Sequence, residues 1–475
     1  MSGASPVIVE TAPAVDFSLP LTESESDEIR WYLSEYPENT FGEAVERAQN
    51  VAVGLKDLGH LLFQSVFGSG NEARSLAEKA AETDEPLLSI ISARPEFLGL
   101  PWELLNNGGD AYLVSRLAGI SRRTSSEPLE SFTGKLPTNQ LNVLLLLPPS
   151  SERAGSIASE ALTALESLPV SAELDCLRPS TDAILIEHLS NQQVHYHLVH
   201  LDGFTIDSKG IHMEDDSGGV QTIDSAALAQ TLNGAQTPVV LINASASSAL
   251  NDVMSFTAGL AQNGVPQVAI APLPIAGAGK VLLSEFFFKE LISGSPVTKA
   301  IATVRHAMME HPQRPSAAGP LVSWDWTLPM AFESKTYSPE AIVAEEQDEP
   351  VPGMPQPEQD THGTELPRGG PYGLIGRHEE LLELERRFRQ TPVIMLSGDV
   401  GSGKSELALG LASWLRKTGG RTGGVFYTAF EVGAGLERVL HEIGTSLAGL
   451  DFGDCLLYTS PSPRDQRGSG MAWCG

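Results

Sequence analysis

The chain has 475 residues, 41% of them hydrophobic, enough for a buried core, and at roughly 150 residues per domain it holds two or three domains. Its 60 acidic residues outweigh 31 basic ones, for a formal net charge of −29. That balance excludes nucleic acid and anionic membrane as general partners, because phosphate contacts need Lys and Arg.

The opening "MSGASPVIVETAPAVDF" has no basic region and no long apolar run, so it does not read as a signal peptide. No apolar stretch reaches the ~20 residues of a membrane helix. The three cysteines, Cys176, Cys455 and Cys474, make neither a disulfide framework nor a metal spacing, which points to a reducing cytoplasm. Asn243-Ala244-Ser245 fits a glycosylation sequon, which in such a compartment is a chance match.

Residues 41–67 place apolar side chains at helical spacing. Four short apolar runs read as strands: "NVLLLL" (142–147), "VHYHLVHL" (194–201), "PVVLIN" (238–243) and "PQVAIA" (266–271). The first stops at Pro148-Pro149 and the second at Asp202-Gly203. Helical stretches such as "DAILIEHLSN" and "VMSFTAGLAQNG" lie between them. Apolar strands separated by helices predict an α/β fold with a mostly parallel sheet covered by helices.

From 336 to 370 the chain is rich in Pro, Glu, Asp and Gln, so it reads as an extended, disordered acidic linker. A second unit, 371–454, begins with an amphipathic helix in "PYGLIGRHEELLELERRF". The strand "PVIMLS", a glycine-rich turn, the helix "SELALGLASWLRK" and the strand "GGVFYTAF" are expected next. No internal repeat with a period of roughly 20–50 residues is present.

The turn Gly398, Asp399, Val400, Gly401, Ser402, Gly403, Lys404 and Ser405 fits G-x-x-x-x-G-K-[ST] in full. Gly401 and Gly403 let the backbone aim N–H groups at phosphate oxygens, and the following helix adds its positive end. Lys404 supplies a charge for the β and γ phosphates, and Ser405 a hydroxyl for Mg²⁺. The expected cofactor is ATP or GTP with Mg²⁺. Hydrolysis also needs an acidic residue at the end of a later strand, and no apolar run ending in Asp follows. Residues 455–465 read as the translation of a sequencing adapter, so 455–475 are expected to be an artefact and the nucleotide unit to be truncated.

Six stretches in order, "EIRWYLSEYP", "LGLPWELLNNGGDAYL", "VHYHLVHLDGF", "VVLINASAS", "FFFKELISGSPVTKAIATVRHAM" and "WDWTLPMAF", resemble landmarks of the CHAT domain. CHAT domains are caspase-like and peptidase-like, and the resemblance covers about residues 15–335. "GLIGRHEELLELERRF" with the phosphate loop resembles the start of a STAND or AAA-type NTPase. The resemblance implies a His–Cys dyad at the tips of two neighbouring strands. Its His closes His-Phe-x-Gly-His-Gly, and its Cys sits in Asn/Ser-Ala-Cys. Laid on this chain, Phe204 stands at the His position and Ser245 at the Cys position. A serine hydroxyl is a poor nucleophile without a base. The expectation is therefore a pseudopeptidase with no catalytic residues, coupled to a nucleotide switch in signalling or defence, with protein partners. The alternatives are an active peptidase using Ser245, and a scaffold attached to an ordinary ATPase.

His200 lies nearest as a substitute base but is expected to be a hydrogen-bonded strand histidine. Alternation puts His195 and His197 on one face and His200 on the other, against a metal set. Trp31, Trp102 and Trp326 are expected as core aromatics, and Arg305 as a helix cap or surface residue, with pairing to an acidic residue as the alternative.

Overall fold

The computed structural model describes residues 17, 21–38, 40–68, 74–75, 79, 86–109, 111–148, 161, 164–165, 167–177, 180–190, 195–215, 219–275, 277–316, 319–342, 366–367, 374, 377–417 and 424–428. Packing divides the chain into two units, Met1–Glu346 and Gln347–Gly475.

The first unit is built on an eight-stranded sheet. Its order is Leu87–Ile91, Gly119–Arg123, Met330–Glu333, Gln267–Ala271, Val239–Ala244, Leu198–Phe204, Gln140–Leu146 and Ser171–Leu177. Neighbours are parallel except at one seam, where Met330–Glu333 runs antiparallel to Gln267–Ala271. The central strands are buried along their length because helices cover the sheet, which is why they read as unbroken apolar runs. Helices Leu250–Gln262 and Gly277–Ile292 follow the two strands that carry the sheet centre. Two N-terminal helices, α1 (Glu23–Ser34) and α2 (Glu43–Phe67), pack against each other. Thr22 starts α1 with a capping box: its hydroxyl accepts from Glu25 N, and the Glu25 carboxylate accepts from Thr22 N at 2.8 Å.

Three differences from the sequence reading have physical causes. The strand expected over 194–201 begins only at Leu198 and runs to Phe204. The ring of His197, just before it, is held by Asn142 N (3.1 Å) and Pro137 O (2.8 Å) instead. The strand "GISRR" (119–123) was not legible because Arg122 makes it look polar. Arg122 is fully buried, with its guanidinium bidentate on Glu103 at 2.9 Å and further bonds to Leu98 O and Leu100 O. Arg305, expected at a surface or helix end, is also fully buried and takes the alternative of an acidic partner, bonding Glu103 (3.3 Å) and Pro329 O (2.7 Å). Burial lowers its pKa to about 10, the Glu103 carboxylate opposing that fall. Trp102 and Trp326 are core aromatics, whereas Trp31 is half-buried. Beyond residue 335, Lys335–Thr336 pairs with Glu130–Ser131 and Ile342 is buried.

In the second unit, helices His378–Gln390 and Lys404–Lys417 pack through Leu381, Leu384, Leu407 and Leu411. Trp414 Nε1 donates to the Glu385 carboxylate at 2.6 Å. The expected strand "PVIMLS" is not formed. Val393 and Met395 in it are 76% and 85% exposed. Residues 424–428 of "GGVFYTAF" are not strand either. A strand gains stability only from paired neighbours and a buried face, and among the described residues of this unit there is no pairing. The linker from 343 to 365 and the adapter-like tail lie outside the described residues.

Candidate functional site

Parallel α/β sheets place their sites at the carboxyl ends of the strands, where chain turns out toward a helix. Here those ends belong to Leu198–Phe204 and Val239–Ala244, paired in register from Leu198↔Val239 to Asp202↔Asn243. The register then slips, and Ala244 pairs with Phe204. Gly203 forms this bulge at φ +78°, a conformation that favours glycine. Paired residues share a face, so His200, Asp202 and Asn243 lie together, while the bulge turns Phe204 to the face of Ala244. Phe204 is fully buried in the core.

Ser245 follows directly, its N–H donating to Phe204 O at 2.9 Å. Phe204 and Ser245, the two positions that the family resemblance assigns to a dyad, are therefore neighbours. The Ser245 hydroxyl meets Ser247 Oγ at 3.0 Å and Ser247 N at 3.3 Å. Ser247 Oγ in turn meets Thr205 Oγ1 at 2.8 Å. Among the described residues, the hydroxyl and the amide of Ser247 are the partners of the Ser245 hydroxyl, and no imidazole or carboxylate bonds it. Ser248 is buried, its hydroxyl accepting from Ile206 N at 2.9 Å, and fixes the turn from below. From above, Arg30 of α1 donates to Ala246 O (2.9 Å) and Ser248 O (3.2 Å).

His200 is committed elsewhere. Its Nε2 lies 3.4 Å from Asp202 Oδ2 and 3.3 Å from Asn243 Nδ2, which also donates to Asp202 at 3.2 Å. Lys280, in the first turn of Gly277–Ile292, completes the cluster with its Nζ 2.9 Å from Asp202 Oδ2. His200 is fully buried, and burial lowers its pKa to about 4; Asp202 opposes the fall and Lys280 reinforces it. His200 Nδ1 and Asn243 Oδ1 are buried with no hydrogen-bond partner among the described residues. Sequence reasoning missed Asp202, Asn243 and Lys280. Lys280 lies far along the chain, and nothing local announces its reach to Asp202.

Gly279 is why that helix can start so close. A Cβ there would lie 2.5 Å from Asp325 Oδ2, within the buried Arg314–Asp325 ion pair (2.7 Å). Burial raises the Asp325 pKa, and the Arg314 hydrogen bond opposes it.

At the phosphate loop, Gly398, Gly401 and Gly403 hold φ +155°, +83° and +81°. Lys404 Nζ donates to Gly398 O (2.9 Å), Asp399 O (2.6 Å) and Ser402 Oγ (3.3 Å). Val400 and Ser405 are exposed. Among the described residues no group of three or more His, Cys, Asp and Glu side chains could hold a metal, and no helix is long and apolar enough to cross a membrane.

No curated protein matches the chain. Among solved structures it is similar to the Saccharomyces cerevisiae separase–securin complex at 14% identity and a TM-score of 0.29, a likeness too low to carry an argument. That match covers 67% of this chain and spans 23% of the other. The family model of the CHAT domain matches residues 57–351, which holds the whole sheet, the two strand tips and the cluster beneath them: the chain belongs to the CHAT domain family.

Proposed function

We propose that the first unit is a caspase-like CHAT module that has lost peptidase activity and serves as a binding or regulatory element beside a nucleotide-responsive unit. The observation that carries this reading is Phe204, fully buried at the expected base position, next to a Ser245 hydroxyl that among the described residues bonds only the hydroxyl and the amide of Ser247. A general base contributes ~10²–10⁴-fold by itself, and replacing a thiol by a hydroxyl compounds the loss. His200 does not substitute for it, being buried, neutral near pH 7 and engaged by Asp202 and Asn243.

The nucleotide half rests on the complete loop, Gly398 to Ser405, and on its geometry. Three glycines adopt backbone conformations that suit a phosphate cradle, and the loop opens directly into Lys404–Lys417. Lys404 would move from the loop carbonyls to the β and γ phosphates of ATP or GTP, and Ser405 would take Mg²⁺. Bound nucleotide supplies the ordering energy of a switch. A cytoplasmic setting and protein partners in signalling or defence complete the proposal.

The test is turnover of a diverse fluorogenic peptide library by the intact chain and by Ser245→Ala. The expected result is no turnover by either. Cleavage that disappears with Ser245→Ala would overturn the reading and make the chain an active serine-dependent peptidase.

A further inference from the structure

Between α1 and α2 lies a groove of about 940 Å³ with an apolar floor and an acidic rim. Ile29, Val51, Leu58 and Leu61 line the floor, and Leu61 is 50% exposed. Trp31 lines it as well, with the Arg47 guanidinium 3.7 Å over its ring. The rim carries five carboxylates, Glu25, Glu28, Glu43, Glu46 and Asp57, against one guanidinium, Arg47. That guanidinium is already bidentate on Glu28 at 2.7 Å. On α2 the lining residues Glu43, Glu46, Arg47, Asn50, Gly54 and Asp57 recur at helical spacing, so the groove runs along the helix. Gly54 lowers its wall, since a Cβ there would meet nothing within 4 Å.

We propose that this groove docks a basic amphipathic helix of a partner protein. An apolar stripe at i, i+3, i+4 and i+7 would lie on the floor, and flanking Lys or Arg would meet the rim. Charge complementarity selects this occupant over two others. Residues 1–20 of this chain contain Glu10 and Asp16 but no Lys, Arg or His, so they do not complement an acidic rim. A second copy brings a net charge of −29 and is repelled. The inference is independent of the peptidase and nucleotide readings.

The probe is an about 14-residue Leu/Lys peptide with leucines at that spacing, titrated into the intact chain at low salt and followed by calorimetry. Its affinity should fall about tenfold or more with Glu46→Lys combined with Asp57→Lys. It should not change with Glu127→Lys combined with Glu130→Lys, exposed acids outside the groove. Equal losses for the two pairs would reveal attraction to the whole acidic chain and overturn the proposal, as would no loss with the groove pair. Tighter peptide binding after Ile8→Ser with Val9→Ser would make the chain's own N-terminal segment the occupant and overturn it. Dimerisation by sedimentation that Glu46→Lys with Asp57→Lys abolishes would do the same in favour of a second copy.

Discussion

The strand tip at Ser245, which lies against Phe204, and the loop from Gly398 to Ser405 both lead into a helix, and they differ in opposite ways. At the first, the scaffold is complete. Eight strands pair, Gly203 makes the bulge, and Ser245 N bonds Phe204 O, yet Phe204 and Ser245 offer neither the base nor the thiol that the family resemblance implies there. At the second, the motif is complete, yet among the described residues 392–397 have no strand partner, with Val393 and Met395 largely exposed. A motif and the scaffold that aims it are separate requirements. The first comes from residue identity alone, whereas the second needs distant strands to supply hydrogen bonds and a buried face.

The comparison breaks most readily at the charges that hold the first scaffold. Glu103→Gln would leave Arg122 and Arg305 buried without their shared carboxylate, and Arg305 Nε and Nη1 already lack partners among the described residues. Urea unfolding followed by tryptophan fluorescence should show a loss of about 3–5 kcal/mol. A loss below about 1 kcal/mol would mean that backbone carbonyls alone satisfy the two guanidiniums.

Acid sharpens the same point. The ordinary His200 pKa is 6.5 and its folded value is about 4, so the unfolded chain takes up the proton first as pH falls. Stability that is present above pH 6.5 is therefore lost between about pH 6.5 and 4, by roughly 3 kcal/mol. Comparing urea midpoints of the intact chain and His200→Gln across that window checks it. The dependence should flatten in the variant.

The loop offers a smaller effect of the opposite kind. If its strand is the missing part, Mg-nucleotide binding must order it. Adding Mg–ATP or Mg–GTP should slow amide exchange at 393–397, and Lys404→Ala should weaken binding by about 10- to 100-fold, the worth of a charge-assisted bond. Binding with no new protection would show that the loop works without its strand.

The smallest effect tests the turn that both tips share in kind. Arg30→Ala removes two bonds to Ala246 O and Ser248 O. Exchange at the Ser248 amide, which bonds Ser245 O at 3.0 Å, should quicken about fivefold, matching ~1 kcal/mol, while the urea midpoint stays within error. An unchanged rate would mean that the Ser248 hydroxyl holds the turn alone.

Much of the sheet is legible in the sequence alone. The runs at 142–147, 238–243 and 266–271 became interior strands of the sheet, because side chains apolar on both faces leave a buried strand as the favoured outcome. That Phe204 and Ser245 stand where the family resemblance puts His and Cys was equally readable, since residue identity needs no fold. Edge and flanking strands were not legible: Gly119–Arg123 hides its burial behind Arg122, whose partner Glu103 is remote enough that only packing unites them.

The sequence by itself therefore determined which chemical groups stand at the two tips, which segments must be buried, and the phosphate-loop motif. Only the tertiary structure decided where those groups' partners lie. It drew His200 to Asp202, Asn243 and Lys280 instead of Ser245, sank Arg305 into the core, and turned Lys404 back onto its own loop. The physical reason is reach. Periodicity and identity act within a few residues, whereas ion pairs, desolvation and strand pairing join segments that the chain itself keeps far apart.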